Sequence, residues 1–105
     1  MSEPSERPVP YQVSYSEQNR NELRALVARA RDHGLAPQLI AAIKDLDYRL
    51  RMYPQFGQPL LDLVHRPGQI WIGVVPPLVV RYGLFEDLRL VAVASPIMLL
   101  LRSGF

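Results

Sequence analysis

Alternating and helical patterns of hydrophobic residues divide the first third of the chain into a strand and a helix. Tyr11, Val13 and Tyr15 alternate with polar residues, which predicts a short half-buried strand. Ser16 can accept a hydrogen bond from a free backbone N–H, so a helix is predicted to begin there and to end near Gly34. The predicted apolar stripe of this helix consists of Leu23, Leu26, Val27 and Ala30.

A second helix is predicted from Pro37 to Tyr53. Proline suits the first helical position, because its missing N–H would have no partner there. Asp45 and Arg49, and likewise Asp47 and Arg51, are spaced for ion pairs on the outer side of this helix. Its predicted apolar stripe consists of Leu39, Ile40, Ile43, Leu46, Leu50 and Tyr53.

The rest of the chain predicts a connector and three strands. Pro54 ends the second helix, and residues 54–63 have the proline and glycine content of an irregular connector. Strands are predicted at 69–75, 78–84 and 90–94, with turns at 76–77 and 86–89. The connector leucines expected to close over the core are Leu60, Leu61 and Leu63.

The resulting order, β-α-α-β-β-β, predicts an α+β fold. Two antiparallel helices would pack on one face of a small, mainly antiparallel sheet, which leaves the other face open. The length of 105 residues fits a single domain over 11–105, preceded by a flexible leader at 1–10. The leader is polar and proline-rich, unlike a signal peptide, so we expect a cytoplasmic protein.

Composition excludes several classes of function. The chain has no cysteine, and its two histidines, His33 and His65, are not spaced as metal ligands, so neither a metal site nor a cofactor is expected. A formal charge of +2 gives little general attraction to nucleic acid. The apolar stretch 90–101 is broken by Pro96 and is shorter than the roughly 20 residues of a membrane helix. No membrane association is expected.

Two motifs then indicate a family. Tyr53, Pro54, Phe56 and Gly57 form a "YP-x-FG" connector, and residues 80–93 follow the pattern "V-x-Y-x-L-x-E-D-x-x-x-V-x-V". With the order of elements, these motifs resemble the RelE/ParE superfamily of bacterial toxin–antitoxin systems over about residues 11–95. The resemblance implies a small toxin that acts on ribosome-bound messenger RNA or on DNA gyrase. It also implies an antitoxin peptide as partner.

The resemblance also implies where functional residues would lie. The RNA-cleaving branch places basic side chains, and often a tyrosine, on the open sheet face. With Tyr82 as that tyrosine, the family's arginine position is occupied by Val79, and Arg81, two residues later on the same face, could be a displaced substitute. Residues 95–97 supply no charge where the family often carries a basic residue. The alternative is therefore a non-catalytic binding or dimerisation module on the same fold.

Three residues are candidates for catalysis. Arg81 either clamps a phosphate on the sheet face or is a solvated residue paired with Glu86 or Asp87. His65 and Arg66 precede the second predicted strand, where they are either a general base with a partner cation or solvated loop residues.

Three further residues are candidates for contact with a partner or substrate. Trp71 has the opposite parity to Ile70 and Ile72 in its strand, and an exposed tryptophan would mark an interface. Tyr82 either contacts a base or packs in the core, and Arg89 is a further candidate contact. The tail "IMLLL", 97–101, is predicted to cover the core, to pair as a strand or to be buried in a homodimer; we expect the homodimer.

Overall fold

The computed structural model of the protein describes residues 9–63 and 67–100. Most of the predicted leader, both His65 and Arg66, and the last five residues lie outside this range. Two short 3₁₀ helices, Pro54–Phe56 and Glu86–Leu88, accompany the main elements. The main elements are β1 (Gln12–Ser14), α1 (Glu17–Asp32), α2 (Ala36–Met52), β2 (Gln58–Asp62), β3 (Gln69–Val75), β4 (Leu78–Phe85) and β5 (Leu90–Leu99).

The strands form one mixed sheet in the order β1-β5-β4-β3-β2. The edge strand β1 runs parallel to β5, and the other neighbouring pairs are antiparallel. Both helices pack on one side of this sheet, which confirms the predicted α+β fold. Neither helix in the described part of the chain is long and apolar enough to cross a membrane.

Helix α1 begins and ends at the residues that the sequence predicts. The backbone N–H of Asn19 donates to Ser16 Oγ at 3.0 Å, and the N–H of Ser16 donates back to Asn19 Oδ1 at 2.9 Å. This reciprocal capping box satisfies donors that have no partner within the helix. After the helix, Gly34 has a φ of +71°, a left-handed conformation that costs glycine little.

Helix α2 carries both predicted ion pairs on its outer side. Arg49 lies 3.1 Å from Asp45, and Arg51 lies 2.8 Å from Asp47. Both arginines are therefore paired with a carboxylate of their own helix.

The core lies between the helices and the sheet. Alternation along β4 sends every second side chain to this side, where each is almost fully buried. The largest members of the core are Leu39, Leu46 and Leu50 of α2 and Leu78, Val80, Tyr82 and Leu84 of β4, with Val91 of β5 beside them.

Two sequence predictions about strands were wrong. Residues 58–62, predicted as connector, form the edge strand β2, and Leu60 and Leu61 are 51% and 57% exposed rather than closed over the core. The reason is that β2 pairs with β3 alone, beyond the reach of the helices, and a bulge interrupts the pairing between Pro59 and Leu61.

The last strand is also longer than predicted. It continues past Ala94 to Leu99, and the second half pairs with the beginning of β4. Ile97 is buried in the core, and Leu99 lies opposite Leu78. Within the described residues, the tail thus extends an existing strand, one of the three outcomes considered from the sequence.

Candidate functional site

The side of the sheet away from the helices, here called the open face, is largely apolar. No described helix packs across it. The register of β3, β4 and β5 arranges its side chains in cross-strand rows. The rows are Val74–Val79–Met98, Ile72–Arg81–Ala94 and Ile70–Gly83–Ala92, followed by Phe85–Leu90. Gln12 and Ser14 of β1 and Gln58 and Leu61 of β2 border them.

Arg81 stands in the middle of the open face. Strand β4 is the central strand of the sheet. Its alternation places Val79 and Arg81 on the open face and the buried Val80 and Tyr82 on the helix side. The prediction that Arg81 shares a face with Val79 is confirmed. Among the described strand residues that carry the open face, Arg81 is the one charged side chain.

The guanidinium of Arg81 is held by a single long contact. One of its Nη atoms donates to the carbonyl oxygen of Ser95 at 3.3 Å. Its Nε is buried and has no hydrogen-bond partner in the described part of the protein. The predicted pairing with Glu86 or Asp87 is not present, and the Glu86 carboxylate instead accepts from Gln55 at 2.8 Å. Arg81 is therefore a half-buried cation without an anionic partner among the described residues.

A bulge in β5 places the carbonyl that Arg81 contacts. From Ala94 to Met98 the strand advances four residues, while β4 advances two from Arg81 to Val79. The bulge begins at Ser95. Ser95 shares the parity of the buried Val91 and Val93, so its side chain is directed toward α1 while its carbonyl faces Arg81.

Helix α1 anchors this bulge from the core side. The buried amide of Asn19 donates to Ser95 Oγ at 2.7 Å, and Ser95 Oγ donates to the Glu22 carboxylate at 3.2 Å. Glu22 also accepts from the backbone N–H of Ile97 at 3.2 Å. The sequence does not predict this network, because each of its bonds joins residues more than 70 positions apart, and its members carry no local signal beyond the polar Asn19 in a helix start.

Tyr82 is a core residue. Its side chain is completely buried on the helix side of the sheet, and its hydroxyl donates to the carbonyl oxygen of Pro54 at 2.5 Å. Burial raises the pKa of this hydroxyl to about 12. Its ring stacks on Phe56 with centroids 6.1 Å apart. As folded, Tyr82 does not share a face with Arg81, so of the two roles considered for it, the core role matches its position.

Trp71 and Arg89 also lie away from the open face. Trp71 is half-buried on the helix side, and its indole N–H donates to Gln69 at 3.0 Å. The guanidinium of Arg89 lies 4.3 Å from the centre of the Tyr11 ring and donates to the carbonyl oxygen of Val9. The Arg89 backbone lies five residues before Ala94, which pairs with Arg81. It is therefore about 16 Å away, along the chain direction of β5, from the row that contains Arg81. The structure therefore places Trp71 directly opposite Tyr82 on the helix side and keeps Arg89 apart from both; none of the three lies beside Arg81 on the open face.

The two remaining catalytic candidates, His65 and Arg66, lie outside the described residues. At the nearest described positions, a groove of about 370 Å³ is lined by Asp62, Gln69 and Glu86, among others. Asp62 accepts from Gln69 at 2.8 Å, so part of this acidic lining is already satisfied. Nowhere in the described residues do three acidic or histidine side chains group as metal ligands would.

A second polar cluster connects β1 with α2. The Tyr15 hydroxyl donates to Asp47 at 2.7 Å, and Asp47 also pairs with Arg51. Burial disfavours the Asp47 charge, but the hydrogen bonds from Arg51 and Tyr15 outweigh it and lower the pKa of the carboxyl. Burial and the bond to Asp47 raise the pKa of Tyr15. Each group is satisfied by the others, so the cluster fixes β1 on α2 and offers no free group for catalysis.

On the described part of the open face, no second group suited to acid–base or phosphoryl chemistry lies beside Arg81. Acid–base or phosphoryl chemistry needs several groups around one point, and the positions next to Arg81 on the open face are aliphatic or glycine. In comparisons with protein-family models, curated proteins and solved structures, the chain matches none of them.

Proposed function

We propose that the protein is a non-catalytic protein-binding module, on a fold like that of the RelE/ParE toxins, and that the open face is its binding surface. The observation that carries the proposal is the contiguous apolar area of β3, β4 and β5, over which no described element packs. Val74 and Met98 in its first row are 46% and 37% exposed. Contiguous apolar patches on a protein surface commonly mark sites of protein association.

The edge of the sheet is a weaker candidate for association than its face. Strand β2 leaves one side unpaired, as edge strands do. However, Pro59 has no N–H to donate to a further strand, and the bulge between Pro59 and Leu61 breaks the regular ladder. Prolines and bulges are features by which proteins protect an edge strand from pairing with a further strand. The face is therefore the better candidate for association.

The experiment compares affinity-tagged wild type with Val74→Asp in cells that produce the protein naturally. Val74→Asp places a charge in the exposed first row, and Met98→Asp is a second variant in the same row on β5. Arg24→Glu, on the outer side of α1, is the matched control. We expect a partner, identified by mass spectrometry, that rebinds the purified wild type and Arg24→Glu but neither open-face variant. Equal binding to all four proteins would contradict the proposal.

A toxin neutralised by an antitoxin, as the resemblance implies, is the second candidate function. The position of Arg81 on the open face favours it, because that is where the resemblance expects a basic residue. The test is growth and bulk translation in a bacterial host after tightly induced expression. Arrest that Arg81→Ala relieves, at equal abundance of folded protein, would support a toxin. Unimpaired growth at high expression would favour the non-catalytic module.

A further inference from the structure

The half-buried guanidinium of Arg81 specifies the chemistry of whatever binds the open face. An arginine carries five N–H donors in a fixed plane. Of these, the buried Nε donor has no partner among the described residues, and one Nη makes a long bond to Ser95. Among the described residues no carboxylate pairs with it. Within the described residues, the cation at this point thus has a buried donor without a partner and no carboxylate beside it.

Covering Arg81 with a purely apolar surface would be costly. Its cross-strand neighbours on the open face are Ile72 and Ala94, and Val79 and Gly83 flank it along β4. A partner that packs on these side chains removes water from the guanidinium. An unpaired charge desolvated in this way costs several kcal/mol, whereas a well-placed carboxylate offsets most of that cost. A binding partner must therefore bring an acceptor to Arg81.

A second copy of the chain does not supply that acceptor. In a two-fold dimer each open face would meet the same face of its partner. The described strand residues of the open face include no aspartate or glutamate, so such a dimer would bring two arginines to an apolar interface without a counter-ion. Charge complementarity argues against self-association through this face.

Nucleic acid fits the surface less well than protein does. Phosphate backbones are bound by several cations distributed along the strand. On the open face the positions around Arg81 are uncharged, and Arg89 is turned over the Tyr11 ring at another end of the sheet. One cation within an apolar surface matches a single carboxylate within an apolar segment.

We infer that the open face binds a protein segment that packs apolar side chains on β3, β4 and β5 and places one aspartate or glutamate on Arg81. This inference rests on the proposed function, since it assigns the chemistry of the same surface. The carboxylate accepts the two parallel N–H bonds that a planar guanidinium offers. The apolar neighbours exclude water from that pair.

The test is a selection from a displayed library of random linear peptides on three immobilised forms of the protein. On wild type we expect selected peptides to be enriched in one acidic residue between apolar ones. On Arg81→Glu we expect enrichment in lysine or arginine, and on Arg81→Met loss of the charge preference. A peptide selected on wild type should bind Arg81→Met about 30-fold more weakly, while Arg24→Glu should bind it as wild type does.

The outcomes separate this inference from the proposed function. Peptides that bind the open face, as shown by loss of binding to Val74→Asp, but carry no acidic enrichment would overturn the inference and leave the binding surface intact. Peptides unaffected by Val74→Asp and by Met98→Asp would bind elsewhere and overturn both. Binding of a labelled single-stranded RNA that Arg81→Met abolishes, without acidic enrichment among peptides, would also overturn the inference. Urea unfolding establishes that every variant is folded.

Discussion

Replacing Arg81 by methionine is expected to stabilise the isolated protein. Methionine keeps an unbranched apolar stem of similar reach and removes the guanidinium. What is lost is the 3.3 Å bond to the Ser95 carbonyl, longer than a usual N–H···O bond and so at the weak end of the range for a charged donor, about 1.5 kcal/mol.

The substitution also removes the buried Nε, which has no hydrogen-bond partner among the described residues. Leaving a buried donor of a charged group unsatisfied costs about 3 kcal/mol, the upper end of the range for polar groups. The difference between these two energies predicts that Arg81→Met raises the free energy of unfolding by about 1.5 kcal/mol. A guanidinium on which the folded protein depends would give the opposite sign.

The assay is equilibrium unfolding in urea at neutral pH, with the midpoint and slope fitted for wild type and Arg81→Met. Arg24→Met, an exposed arginine of α1, is the control and should change the free energy of unfolding by less than about 0.5 kcal/mol. Size-exclusion chromatography at the concentration of the assay excludes a gain from self-association. A loss of stability of about 1 kcal/mol or more in Arg81→Met would refute the argument, because it would mean that the fold itself depends on the guanidinium.

Three further predictions concern the groups that support the open face from the core side. Tyr82→Phe leaves the Pro54 carbonyl without its donor and should cost about 1 to 3 kcal/mol in urea unfolding. Folding raises the pKa of Tyr82 from 10.0 to about 12, so the folded state favours the neutral hydroxyl. The contribution of this group to the free energy of unfolding is therefore fully present below pH 10 and is lost as the pH rises toward 12. Tyr82→Phe should reduce that loss. Asn19→Ala removes the bonds to Ser16 and Ser95 and should cost about 2 kcal/mol, measured by thermal and urea unfolding.

The helices and three of the strands could be predicted because their signals are local. The stripe of α1, the cap at Ser16 and the alternation of β4 are each contained within a few residues. Strand β2 could not be predicted in this way, because Leu60 and Leu61 are adjacent and Pro59 interrupts the pattern. Its strand state comes from pairing with β3, a contact that the residues of β2 do not specify by themselves.

The candidate site was predictable in part for the same reason. Strand alternation fixes the face on which Arg81 lies, so that placement followed from the sequence. That no described carboxylate pairs with Arg81 depends on where Glu86 lies in space, and the Glu86 carboxylate accepts from Gln55 instead; the Ser95 carbonyl that Arg81 does contact is placed by the β5 bulge. The predicted contacts at Trp71 and Tyr82 rested on residue type, and the register places both on the helix side.

Site-specific photo-crosslinking, in cells that produce the protein, tests most directly whether the open face is the protein-binding surface that we propose. A photoreactive amino acid is placed at Val79 in the first row of the open face, and in a parallel culture at Arg29 on the exposed side of α1. We expect a discrete adduct with one protein at position 79, absent at position 29 and lost when Val74→Asp is added. Adducts of equal yield at both positions, or at position 29 alone, would contradict the proposal.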